Sequence, residues 1–187
     1  AAEMVRRIPE VEAVAEVETE QYSQKGSPGV GPDDWLKLAT RINEILSTGD
    51  DVAGVVVTHG TGTLEETAYF LHLTVKSDKP VVCTASMRPP SALGTDADIN
   101  LLDAIRLAAS PQARGYGVMT VLNNEIQCAR DVTKMNNFRL ETFRPNELGF
   151  LGYVDSDDEI VFYRQPTRRH TMSSEFNVSG VESLPRV

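Results

Sequence analysis

"GVVVTHGTGTLEETAYFL", residues 54–71, decides how the chain folds. Val55, Val56 and Val57 close the run "VAGVVVT" (52–58), the β-branched signature of a strand buried on both faces. "TLEETAYFLHLTVK" (63–76) then carries helical spacing. The chain passes from strand to helix through three threonines, Thr58, Thr61 and Thr63, and two glycines, Gly60 and Gly62. Free backbone N–H groups and the helix dipole favour a negative group at such a start. Glycine lets the backbone pass close to a ligand or take a positive φ. Thr63 reads as the helix N-cap, with Glu66 completing a capping box. That reading explains neither Thr61 nor the glycines beside it.

The same alternation continues outward. "PVVCTAS" (80–86) reads as a second buried strand, "INLLDAIRLAA" as a helix after the loop "MRPPSALGTDAD", and "YGVMTVLN" (116–123) as a third strand. Strands alternating with helices over short connections predict an α/β fold, a mostly parallel sheet flanked by helices. Upstream, "WLKLATRINEIL" is a helix capped by Asp33 or Asp34, preceded by the loop "SQKGSPGVGPDD". Alternation of Val11, Ala13, Ala15 and Val17 within residues 9–22 favours a strand, a helix being the alternative. From residue 124 to about 149 the chain reads as a polar, partly irregular crossing, followed by a late β-hairpin around "DSDD". The expected division is a domain over residues 1–165 and a linker over 166–187, with both abrupt ends read as cuts in a longer protein.

Composition excludes several functions. The chain of 187 residues is 41% hydrophobic and 24% charged, enough for one packed domain. Its formal charge of −9 argues against nucleic acid and against an anionic membrane face. No apolar run is long enough to span a bilayer. Cys83 and Cys128 form no CxxC pair, so neither a disulfide framework nor a zinc site is expected. "DSDDE" (155–159) lacks the spacing and glycine of a calcium loop, and no metal site is assigned. A Walker loop and GxGxxG are both missing, which weakens a nucleotide-binding reading. His59 reads as a local hydrogen-bonding residue.

Ligands of open α/β sheets gather at the carboxyl ends of the strands. "THGTGT", "SMRPPSALGT" and "NNEIQCARDVTK" compete for that place. In the last, a lysine held at a strand end could act as base toward a threonine hydroxyl.

Taken together, "THGTGTLEETAYFL", "KPVVCTASMRP", "ARDVTK" and "LGYV…YRQPTRRHT" resemble the bacterial-type L-asparaginases and glutaminase-asparaginases over nearly the whole chain. The resemblance implies a flavodoxin-like N-terminal domain and homotetramers built as dimers of dimers. It implies hydrolysis of asparagine, with glutamine as a further substrate, through a threonine acyl-enzyme and without a cofactor. A second threonine and a lysine assist; they correspond to Thr61 and Lys134. Ser27 with Gly26 corresponds to the substrate-carboxylate loop, and Gly60 and Gly62 flank Thr61. Ser86 stands where many members have alanine and glutaminase-asparaginases often have serine. A cytoplasmic protein is expected, with the periplasm as the alternative.

Two departures qualify the resemblance. The family's TGGTIA motif, which carries the primary nucleophile, does not occur in these residues, so this polypeptide alone is expected to be inactive. The family's HGTDT reads "HGTGT", with Gly62 in place of the aspartate expected to hold the substrate amine and partner the lysine. Losing that charge-assisted bond costs ~1.5–3 kcal/mol. A degenerate homologue kept for binding or assembly is the alternative reading.

Overall fold

The computed structural model describes residues 1–49, 51–157 and 159–185. Asp50 of the "STGDD" turn, Asp158 of the "DSDD" turn and the last two linker residues, Arg186 and Val187, lie outside the described residues. Three parallel strands, β1 (Val55–Thr58), β2 (Val81–Thr84) and β3 (Val118–Leu122), form one side of a six-stranded sheet. Helices α2 (Pro32–Thr48), α3 (Leu64–Thr74) and α4 (Ala97–Ala109) surround it; α1 (Ala2–Arg6) is a short turn at the start of the chain. Side chains alternate along β2 and β3, so that Val81, Cys83, Val118 and Leu122 pack with α2 and α3. Val82, Met119 and Val121 face the other way, against Ala104, Leu107 and Ala108 of α4. The α/β class and the flanking helices therefore follow the sequence pattern.

Beyond Leu122 the structure departs from expectation. The region read as an irregular crossing holds β4 (Glu125–Cys128) and a separate two-stranded sheet, β5 (Val132–Lys134) with β6 (Phe143–Pro145). The chain reverses at Asn123 and Asn124, both at positive φ (55° and 62°), so that β4 pairs antiparallel with β3. Asparagine tolerates that conformation, and two such residues in succession make the tight hairpin turn. The late hairpin, β7 (Gly152–Val154) and β8 (Ile160–Phe162), completes the sheet in antiparallel order beside β4.

Three local readings also need correction. Residues 9–22 form no strand: Pro9–Ala13 is a 3₁₀ turn, and the residues after it run without a ladder. Ile8 and Val11 are buried against Leu101, Leu102 and Ile105, with Val14, Ala15 and Val17 packed alongside. The alternation is not kept in the burial, since Ala13 is exposed while Val14 is packed. Helix α2 is capped by Gly31, and Asp34 reaches back, its Oδ2 accepting the Gly31 N–H at 3.1 Å. Thr63 is the N-cap residue of α3, but its hydroxyl makes no cap bond.

Residues 166–185 hold little regular structure, yet they are pinned to the domain. Lys76 Nζ donates to the carbonyls of Thr171 (3.1 Å) and Ser174 (2.8 Å). The ring of His170 lies 4.7 Å from that of His72 at α3. His72 is fully buried, its Nδ1 accepting the Val118 N–H at 3.1 Å while the Val118 carbonyl takes Ala129 N–H. Burial first, then the neighbouring His170 and Arg130, pushes the His72 pKa down to about 3.

Stability should therefore fall in acid. Above the ordinary value of 6.5 both folded and unfolded chains carry a neutral His72; below it only the unfolded chain takes the proton, and this continues down to about 3. At about 1.4 kcal/mol per pH unit the loss from this group is about 2 kcal/mol at pH 5. Urea melts at pH 7 and pH 5 should show it, and His72→Gln should remove that share of the pH slope. A second expectation concerns β1, which pairs with β2 and has no strand on its other side among the described residues. Such an open edge promotes association. The isolated 187-residue chain should sediment as concentration-dependent oligomers; a cooperative melt of a monomer would contradict this.

Candidate active site

The site forms where β1 ends and α3 begins. His59 N–H donates to the Thr84 carbonyl at 2.8 Å, extending the β1–β2 pairing by one bond into the turn. The His59 ring is then fixed from both sides. Its Nδ1 lies 2.7 Å from the Gly60 carbonyl, which can only accept, so Nδ1 carries the proton. Nε2 therefore accepts from the Thr67 hydroxyl at 3.0 Å, whose oxygen in turn accepts the Trp35 indole N–H at 2.8 Å. This chain ties the turn to α2 and confirms His59 as a local hydrogen-bonding residue.

The Ser27 loop lies directly against the two glycines. Gly62 N–H donates to Ser27 Oγ at 2.9 Å, and the Thr63 hydroxyl donates to the Ser27 carbonyl at 2.6 Å. Thr63 thus anchors the neighbouring loop instead of capping its own helix. A Cβ on Gly60 would stand 2.8 Å from Ser27 Cβ, and one on Gly62 would stand 2.7 Å from Ser27 Oγ. Close approach of the Ser27 side chain leaves little room for a Cβ at either glycine. Gly26 begins the 3₁₀ turn Ser27–Gly29, its carbonyl accepting Gly29 N–H at 2.8 Å.

Lys134, the last residue of β5, reaches this turn from the second sheet. Its Nζ donates to Thr61 Oγ1 at 2.7 Å, and both residues are half-buried. Its backbone N–H donates to Glu65 Oε2 at 2.5 Å. Four of the expected residues, Ser27, Gly60, Thr61 and Gly62, together with Lys134, are therefore brought into one constellation. Ser86 follows β2 on the adjacent loop, half-buried, and no hydrogen bond joins it to Thr61 or Lys134 among the described residues. That loop is braced by Asp96, which accepts the N–H groups of Met87 and Arg88, each at 2.9 Å.

Sequence reading did not find Glu65, Thr67 or Trp35. Glu65 bonds to a residue 69 positions away, and nothing in local spacing pairs Trp35 with a helix more than one element away. Both cysteines are buried and unpaired, and burial raises Cys83 to about 12 and Cys128 to about 11, leaving neither as a nucleophile.

A threonine hydroxyl and a lysine side chain thus meet at the carboxyl edge of an α/β sheet. The chain belongs to the asparaginase family: it matches the asparaginase N-terminal domain over residues 1–168. It is 48% identical to L-asparaginase 2 of Bacillus subtilis, with 98% of this chain covering 48% of that protein. It is 43% identical to a glutaminase-asparaginase of Pseudomonas fluorescens, 99% of the chain covering 50% of the relative. A solved structure from Campylobacter jejuni, described as a probable cytoplasmic L-asparaginase, superposes with a TM-score of 0.95 at 38% identity, over 99% of this chain and 58% of that one. The chain thus spans about half the length of the curated relatives it matches.

Gly60→Ala should test the close approach. Its methyl group would meet the Ser27 Cβ at 2.8 Å, and overpacking of this kind costs roughly 1–3 kcal/mol. Denaturant unfolding should report that loss.

Proposed function

We propose that the full-length protein hydrolyses the side-chain amide of L-asparagine to L-aspartate and ammonia, with Thr61 and Lys134 as working parts of its centre. Membership of the asparaginase family supports this reading, and the 2.7 Å contact between Lys134 Nζ and Thr61 Oγ1 carries it. In its neutral form Lys134 can take the Thr61 hydroxyl proton, and Thr61 can in turn draw a proton from the primary threonine as it attacks, or from the water that follows. The nucleophilic oxygen adds to the amide carbon, the C–N bond breaks, and the nitrogen leaves as ammonia with a proton delivered to it. Water then cleaves the acyl-enzyme ester. The primary threonine implied by the resemblance is not among these residues, so the 187-residue chain by itself is read as inactive. Ammonia release by that chain alone would overturn the assignment of the nucleophile.

Ser27 with Gly26 is proposed to receive the substrate carboxylate, and Ser86 to widen tolerance toward glutamine. No cofactor is invoked. A homotetramer, a linker over 166–187 and a cytoplasmic location complete the reading; the names of two relatives, one a glutaminase-asparaginase and one cytoplasmic, support the last point and the glutamine activity.

One observation favours a second reading, a degenerate homologue kept for binding. The place a side chain at position 62 would occupy is filled by Ser27 Oγ, so local packing suits glycine. An aspartate there requires the Ser27 hydroxyl to rotate away and give up its bond from Gly62 N–H. Assays of the full-length protein separate the two. We expect measurable turnover, a fall of at least 100-fold in kcat for Thr61→Val and for Lys134→Met, and a gain of about 10-fold or more in kcat/KM for Gly62→Asp, the equivalent of ~1.5–3 kcal/mol. No turnover in the parent and none in Gly62→Asp would leave only the binding reading.

A further inference from the structure

Lys134 is carried by a sheet of only two strands, β5 and β6, so both outer edges of that sheet should present unpaired backbone groups. The register shows which ones. Met135 N–H donates to the Thr142 carbonyl at 2.8 Å, which makes 135 and 142 a hydrogen-bonded pair. Pairs alternate in an antiparallel ladder, so the next pair, Lys134 and Phe143, turns its N–H and C=O groups away from the partner strand. Pro145, opposite Val132, falls at a non-bonded position two steps further on, where its missing N–H costs nothing.

One outward group on each strand is taken by a side chain from the main body. On the β5 side Glu65 Oε2 accepts the Lys134 N–H at 2.5 Å. On the β6 side Gln127, fully buried on β4, donates its Nε2 to the Phe143 carbonyl at 2.9 Å. Two side chains stand where neighbouring strands would otherwise be. Glu65 is the more consequential, because it lies in the first turn of α3, directly after the turn that presents Thr61. One rigid helix start therefore holds both partners of the Thr61–Lys134 contact: Thr61 through the chain, Lys134 through a carboxylate.

We infer that Glu65 is a positioning residue for the reaction, anchoring the Lys134 backbone so that the ammonium stem meets Thr61 Oγ1. It touches no reacting atom. A lysine stem has four rotatable carbons, and without a fixed backbone its Nζ can settle at many points. The bond is to a charged acceptor, the stronger kind, and the helix N-terminus favours the carboxylate where it stands. The acceptor, and its reach, matter; the charge near Lys134 is secondary.

This rests on the hydrolytic reading above only for its kinetic arm. In the full-length protein Glu65→Gln keeps an acceptor oxygen at the same reach and should hold kcat within about threefold of wild type. Glu65→Leu should lower kcat at least tenfold with KM nearly unchanged, since the substrate-binding loop is untouched. Glu65→Asp keeps the charge but shortens the arm by one methylene, and should also lower kcat; it decides the matter if the leucine variant does not fold. Crystal structures of the variants give the independent arm. The Lys134 Nζ to Thr61 Oγ1 bond should persist in Glu65→Gln and be lost in Glu65→Leu or Glu65→Asp, whether or not the protein hydrolyses asparagine. The inference is overturned if that bond survives in Glu65→Leu or Glu65→Asp, or if Glu65→Gln is as impaired as the leucine variant.

Discussion

The exit of the chain from β1 constrains everything around it. Parallel pairing with β2 runs through Thr58 and one bond further, from His59 N–H to the Thr84 carbonyl. The chain must then turn into α3 within four residues, Gly60 to Thr63. Buried Leu64, Ala68 and Leu71 fix how α3 lies on the sheet, so the turn has almost no freedom left. The His59 ring takes up what remains by clamping the Gly60 carbonyl. Thr61 is free to meet a partner because its neighbours are held; among the described residues its side chain bonds to Lys134 alone.

That arrangement assigns unlike tasks to chemically similar residues. Three threonines leave the strand or enter the helix, yet only Thr61 faces a lysine. Thr63 spends its hydroxyl on the Ser27 carbonyl, and Thr67, buried within α3, relays between an indole and an imidazole. A donor-only group at one end, Trp35, and an acceptor-only group at the other, the Gly60 carbonyl, give the relay a single direction. Hydroxyls between such ends have no choice of role, and this is how a set of ordinary polar side chains specifies one tautomer and one turn.

The parts of this architecture that are visible in sequence are those dictated by nearest neighbours. The β-branched runs at 52–58, 80–86 and 116–123 name three strands because parallel strands are covered on both faces. The helices between them follow from spacing. Thr61, Gly60, Gly62, Ser27 and Lys134 were legible as a set through resemblance of motifs, while spacing alone offered only a polar turn. What was not legible is long-range. Residues 8–17 pack on α4 without a partner strand among the described residues, and no local pattern reports whether a neighbour exists. β4, β5 and β6, before the late hairpin, are three or four residues long and lie in a polar stretch where no periodicity shows. Their clue was the Asn123–Asn124 pair, a turn signal that polar surroundings masked. Glu65 bonds to a residue 69 positions away, which is a fact of topology alone.

Gly62 gathers these threads. Its hydrogen takes the place of a side chain because Ser27 Oγ stands where that side chain would begin, and its N–H satisfies the same oxygen. The serine thus holds the loop by filling a space that an aspartate would otherwise fill, and the two cannot occupy it together without a rotation of Ser27. The glycine is consequently both a packing solution and an electrostatic omission. With no carboxylate at 62, the acid bonded to Lys134 is Glu65, and it binds the backbone rather than the ammonium. Lys134 is held in position by a negative group whose charge its own Nζ does not touch, which leaves the ammonium directed toward the single oxygen of Thr61.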